Sequence, residues 1–130
     1  MIKLIARLKA HYGLKITVVS NESRELNAYR IQKFKLHDFV DSFISSCFVQ
    51  LRKPDVEIFR LALDITQAPI RQVVYIEDTP MFVQIAKGLG IRSILHTDYK
   101  VHAGEAGFVR ITGSEFGFYP IAKPPVLKQF

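Results

Sequence analysis

The period of the hydrophobic pattern changes repeatedly along this chain. Met1, Leu4, Ile5, Leu8 and Tyr12 recur at helical spacing, with Lys3, Arg7 and His11 on another face. They predict an amphipathic helix over 2–12, which Gly13 stops. The run KITVVS at 15–20 then predicts a strand, and helical periodicity resumes at Glu22 and continues to 34. Further strands are expected near 43–46, 73–77 and 92–96, and further helices near 55–66 and 80–88, the last ending at Gly88 and Gly90. Strand and helix alternate, an order that predicts right-handed crossovers and an α/β fold with a parallel sheet and helices on both faces. VVYIE at 73–77 is apolar on both faces, as a covered parallel strand should be.

Polar residues cluster where these strands end, which is where parallel sheets place their ligands. Glu77 and Asp78 close the strand 73–77, and two adjacent carboxylates invite a hard cation such as Mg2+. The structural alternative is a helix start, with Asp78 or Thr79 as N-cap and Pro80 in the first helical position. Ser20 and Asn21 close the strand 15–20. The Ser20 hydroxyl with nearby backbone N–H groups suits a phosphate oxygen, or caps the following helix. Lys53 stands directly ahead of Pro54, which fits the first turn of the helix 55–66.

In order and spacing, KITVVSN, LRKPDVEIF and VVYIEDTP resemble the second, third and fourth motifs of the haloacid dehalogenase-like hydrolases. The connecting text fits as well: FKLHDFVDSFISSCFVQLRKPD and IFRLALDITQAPIRQVVYIED resemble the family's passages between motifs, so the resemblance spans roughly the first hundred residues. It implies a three-layer Rossmann-like core and an activity dominated by Mg2+-dependent phosphatases. It also implies that Ser20, Asn21 and Lys53 hold phosphate, with Lys53 the catalytic group among them, and that Asp78 and Glu77 hold Mg2+. Glu77 stands where many relatives have another Asp. The expected ligand is a small phosphorylated molecule, although some relatives cleave carbon–halogen bonds.

The family's nucleophile, the first Asp of an Asp-x-Asp pair, has no counterpart in this sequence. The nearest imitation, Asp55-Val56-Glu57, falls at a helix start, where Asp55 is expected to cap. Met1 falls at the helix before the second motif, so the core is expected to be incomplete at its N-terminal side, with the nucleophile strand and cap lying upstream. Without the attacking carboxylate the remaining groups only position and neutralise charge, so this chain is expected to be inactive alone. The alternatives are a non-catalytic module that binds a phosphorylated ligand or a partner, and a structural subunit whose missing strand comes in trans. That strand would sit between 15–20 and 73–77. The gap is expected to close by direct pairing of those two strands, or by a segment from the tail, a second copy or a partner chain, since unpaired buried backbone is costly.

Composition narrows the remaining choices. The chain is expected to form a single domain over 1–130, with 99–130 as an irregular extension whose Phe108, Phe116, Phe118, Tyr119 and Phe130 pack on it. Net charge is +6, and the excess lies early: eleven basic against six acidic residues through position 60. Arg30, Lys33 and Lys35 near a helix end fit a solvated face favoured by the helix dipole, and no basic-aromatic repeat or zinc spacing points to nucleic acid. No apolar run reaches membrane-spanning length. One cysteine, Cys47, permits no internal disulfide and reads as a small apolar residue. The basic, acid-free start could serve as a transit peptide but fits a docked helix better, so a cytoplasmic location is expected. His96 closes the strand 92–96 at the rim of the predicted site.

Overall fold

The computed structural model describes residues 2–96 and the backbone of 125–128. The chain runs α1 (Ile2–Tyr12), β1 (Lys15–Ser20), α2 (Arg24–Lys33), β2 (Ser42–Ser45), α3 (Ser46–Val49), α4 (Val56–Thr66), β3 (Val74–Glu77), α5 (Pro80–Gly88), β4 (Arg92–Leu95) and β5 (Pro125–Lys128). The five strands form one sheet in the order β2-β1-β5-β3-β4. Every pairing is parallel, as alternating strands and helices require.

Two apolar cores lie against the sheet, and the alternation of side chains along each strand assigns residues to one or the other. Ile16 and Val18 of β1 join Ile5, Leu14, Leu36, Phe39 and Val40, with Ile76 of β3 packed against that cluster. Val19 and Tyr75 join Ile44, Ile58, Phe59, Ala62, Val73, Ala86 and Ile91. One face is therefore covered by α1 and the segment after α2, the other by α4 and α5. Ile5 anchors α1, and Gly13 ends it at a positive φ of 62°, a conformation that suits a residue with no Cβ.

Several boundaries differ from expectation for local reasons. Ser23 is the N-cap of α2, its side chain accepting from the Leu26 N–H, so the helix starts at Arg24 and Ser20 is not its cap. Glu22, outside the helix, pairs with Arg30 instead. Pro54 lies outside α4: the Lys53–Pro54 peptide is cis, and Asp55 caps the helix by accepting the Glu57 N–H at 3.0 Å. The short helix α3 was not expected; it follows β2 without a loop.

The gap between β1 and β3 is filled by β5. Thr17 pairs with Leu127 on one side, and Leu127 pairs with Tyr75 on the other, so the tail supplies the central strand. Pro124-Pro125 reads in the sequence as a kink, whereas Pro125 opens this strand. The segment FVRIT, the one strand that the tail's sequence suggests, lies outside the described residues.

Candidate active site

Tyr75 and Glu77 are two apart on β3 and so project from the same face of the sheet, toward α4 and α5. Lys53 enters from the loop before α4, positioned by Asn21 at the end of β1. The Asn21 side chain accepts the Lys53 N–H at 2.8 Å and donates to the Lys53 carbonyl at 2.8 Å. The Lys53 ammonium then reaches Glu77 Oε2 at 2.9 Å, the Val19 carbonyl at 3.2 Å and the Tyr75 hydroxyl at 3.4 Å. It also lies 4.8 Å from the centre of the Phe82 ring on α5, a cation–π contact.

This arrangement bridges β1 and β3. Lys128 of β5 pairs with Val18 and Ile76, and one register step beyond those pairs Lys53 spans from Val19 to Glu77. The Lys53 and Glu77 side chains are both 0% exposed. Desolvation lowers the Lys53 pKa even though Glu77 and Asp78 favour its charge. Burial pushes the Glu77 carboxyl up, but donation from Asp78, Lys53 and Tyr75 pulls it further down, to below the usual carboxylate value. Burial, and then the bond to Glu77, push the Tyr75 hydroxyl well above its ordinary range, which keeps it a neutral donor.

Glu77 also organises the start of α5. Its Oε1 accepts the Asp78 N–H at 2.9 Å and the Thr79 N–H at 3.0 Å. Thr79 is the N-cap and Pro80 follows at the first helical position, but the orphan donors here are met by Glu77 and not by the Thr79 side chain. Asp78 is exposed, with the Thr79 hydroxyl 3.4 Å from its Oδ1. Hydrogen bonding with Glu77, followed by burial and the Glu77 charge, raises its pKa.

Ser20 is placed differently. Its buried hydroxyl donates to Ser45 at 3.3 Å, and Ser45 donates to Asn27 at 2.7 Å, a chain tying β1 to β2 and α2. Lys53, Glu77, Asp78 and Asn21 are thus brought together, while the link from Ser20 to Lys53 runs through the adjacent Val19 peptide. Tyr75 and Phe82 were not singled out in the sequence; the spacing of Tyr75 two residues before Glu77 was the available signal for the first. His96 contributes its backbone N–H to the Glu77 carbonyl at 2.8 Å. Cys47 is half-buried and free. Among the described residues no three His, Cys, Asp or Glu side chains group as a metal site, and no helix is long and apolar enough to cross a membrane.

Residues 1–96 match the family described as haloacid dehalogenase-like hydrolase. The chain belongs to that family. A protein provisionally named pyrophosphatase PpaX, from Caldanaerobacter subterraneus subsp. tengcongensis, is 27% identical over 92 residues, covering 71% of this chain and 41% of that protein. Rat bifunctional epoxide hydrolase 2 is 27% identical over 130 residues, covering 95% of this chain and 23% of its own length. The chain therefore spans less than half the length of these curated relatives. Among solved structures, a family enzyme from Bacteroides thetaiotaomicron in complex with magnesium and inorganic phosphate superposes with a TM-score of 0.67 at 19% identity, over 77% of this chain and 55% of that one. That likeness shows the fold: a haloacid dehalogenase-like α/β core in which the acidic pair and Lys53 sit at the carboxyl ends of parallel strands.

Proposed function

We propose that this chain is the lysine-bearing part of a phosphatase-type hydrolase of this family, acting on phosphate monoesters with Mg2+, and that it is catalytically silent by itself. The observation that carries the reading is the Lys53 ammonium, fixed by named acceptors at the strand ends where parallel sheets take their ligands. The Bacteroides relative, complexed with magnesium and inorganic phosphate, supports the ligand class. Lys53 would neutralise phosphate charge while sharing its own with Glu77. Asn21 sets the position of Lys53, and Ser20 would reach a phosphate oxygen by releasing Ser45.

Magnesium would add charge neutralisation at the phosphate, but the described residues do not complete its site. Mg2+ wants near-octahedral oxygen coordination, and Asp78 is the one carboxylate here that is exposed. Turnover through a covalent intermediate needs a carboxylate that attacks phosphorus, a proton donor for the departing ester oxygen, and a water that then releases the phosphate. Glu77 is committed to four donors, and the sequence contains no Asp-x-Asp. That absence favours a second reading, a module that binds a phosphorylated ligand or a partner without turnover.

The test is Mg2+-dependent phosphate release from an aryl phosphate by the purified chain, with Lys53→Ala beside it. We expect no turnover from the folded chain, with phosphate binding that Lys53→Ala abolishes. Turnover lost in Lys53→Ala would overturn the silent part of the proposal, and phosphate binding that survives Lys53→Ala would overturn the role of Lys53.

A further inference from the structure

Glu77 offers two carboxylate oxygens with about four lone-pair positions between them. Four donors occupy them: Tyr75 hydroxyl at 2.6 Å and Lys53 Nζ at 2.9 Å on Oε2, and the N–H groups of Asp78 at 2.9 Å and Thr79 at 3.0 Å on Oε1. A carboxylate in that state has no free lone pair for a metal ion. The two backbone donors belong to the start of α5 and are fixed by it. The Lys53 ammonium has further acceptors in the Val19 carbonyl and the Tyr75 hydroxyl. Tyr75 is the group at Oε2 that no charge requirement holds there, and its hydroxyl makes the shortest of the four contacts.

We infer that Tyr75 is a positioning residue that commits Glu77 to Lys53 and withholds it from the cation, which leaves Asp78 as the coordinating member of the acidic pair. This rests on the proposed reading only in taking the acidic pair as the cation end of the site. Tyr75 is suited to the task because its ring is locked: it is 0% exposed and packs edge-to-face on Phe59, with centroids 5.3 Å apart. Its hydroxyl is then aimed at Glu77 by the alternation of β3 and not by its own rotamer freedom. Asp78, exposed and lying against a carboxylate already neutralised by Lys53, is left to meet the ion with water as its remaining partner.

The sign of one substitution separates this role from its opposite. Were Glu77 a metal ligand oriented by Tyr75, removing the hydroxyl would weaken cation binding, as loss of an outer hydrogen-bond partner does. If Tyr75 withholds Glu77, removing the hydroxyl frees a lone pair at Oε2 and binding tightens. Tyr75→Phe keeps the ring and its contact with Phe59. Mn2+ alone is titrated, read by the relaxation of water protons, so that a chain without phosphatase activity still answers. We expect Tyr75→Phe to bind Mn2+ about threefold to tenfold more tightly than the wild-type chain, the equivalent of one net hydrogen bond. In the double variant Tyr75→Phe/Glu77→Gln that gain should disappear.

Unchanged or weaker binding in Tyr75→Phe overturns the inference, as does a gain that survives Glu77→Gln. Should the variant fold poorly, carboxyl 13C shifts of the wild-type chain under Mg2+ give the second reading. The Asp78 resonance should move and that of Glu77 should hold, and a Glu77 shift as large as that of Asp78 overturns the assignment.

Discussion

The Asn21 side chain grips the Lys53 peptide from both sides, accepting its N–H and donating to its carbonyl, each at 2.8 Å. The residue ending β1 thereby fixes the backbone from which the Lys53 ammonium reaches Glu77. Asn21→Ala removes both bonds and leaves a part-buried donor and acceptor unmatched, which should cost about 2–4 kcal/mol if each loss lies in the usual range. Asn21→Asp keeps the acceptor but faces the Lys53 carbonyl with an oxygen, so it should not restore the loss. Urea unfolding measures both variants, and an Asn21→Ala chain as stable as wild type would mean that Asn21 does not hold Lys53 in place.

The buried pair itself predicts a strong asymmetry between single and double substitution. Lys53→Met leaves the Glu77 carboxylate without its counter-ion in a fully buried place, and Glu77→Gln leaves an uncompensated ammonium. Each should destabilise by about 3–5 kcal/mol, the magnitude seen when one partner of a buried pair is removed. Lys53→Met/Glu77→Gln carries no stranded charge, so its loss should be smaller than the sum of the two. A double-mutant cycle by urea denaturation tests this, and strict additivity would mean the two groups do not share one electrostatic environment.

Much of this geometry was legible in the sequence, and the misses have physical causes. Helices over 2–12 and 80–88 were readable because Gly13 and Pro80 mark their ends, and the strand 15–20 because it is a compact apolar run. The order of strand ends located Asn21, Lys53, Glu77 and Asp78 on one side of the sheet. What could not be read was how each acceptor is spent. A carboxylate written beside another suggests a metal site, yet Glu77 meets a lysine 24 residues away and a tyrosine two residues away. Ser20 was similarly open to a phosphate or capping role. Its β2 neighbour, Ser45, takes its hydroxyl, a contact set by strand register and invisible in local sequence. The central strand is the extreme case: PVLK is short and begins with proline, so only the vacancy between β1 and β3 gives it a place.

Acid should weaken the fold through Glu77. Its folded pKa lies below the ordinary 4.5, so below that pH the unfolded chain takes up a proton that the folded chain resists. The stabilisation is fully present above 4.5 and is lost as pH falls through the lowered folded value. Asp41, also lowered, adds to the same window: burial pushes it up, and the bonds from Lys9 and the Ile16 N–H more than reverse that. Urea midpoints measured down the acid range should fall for wild type and fall less steeply for Glu77→Gln. Equal slopes in the two would mean that a group other than Glu77 sets the acid limit.

Asp78 behaves in the opposite sense. Hydrogen bonding with Glu77, then burial and the Glu77 charge, raise its pKa above 3.8, so the folded chain binds the proton more readily than the unfolded chain. Its contribution to stability is present at low pH and is lost as pH rises through the raised folded value. Asp78→Asn should therefore raise the urea midpoint at neutral pH, by a few tenths of a kcal/mol at roughly surface magnitudes, because the group is exposed and screened. A residue whose removal stabilises the fold is expected where carboxylates are held together for binding. A lowered midpoint would show that Asp78 serves the fold instead.

The tail's strand makes the last prediction. Between β1 and β3, β5 receives parallel pairing on both sides, and Leu127 is its middle contact, opposite Thr17 and Tyr75. Proline there removes an N–H from the ladder and places its ring in an interior strand, where proline is not tolerated, so Leu127→Pro should cost about 3 kcal/mol or more. The loss should be local before it is global. Amides of β1 and β3 that face the slot should exchange faster with solvent, while those of β4, which borders β3 on its other side, should hold longer. Hydrogen exchange read residue by residue distinguishes these outcomes. Unchanged protection of β1 and β3 in Leu127→Pro would mean that another segment closes the sheet, and the bridge from Val19 through Lys53 to Glu77 would then rest on that segment and not on β5.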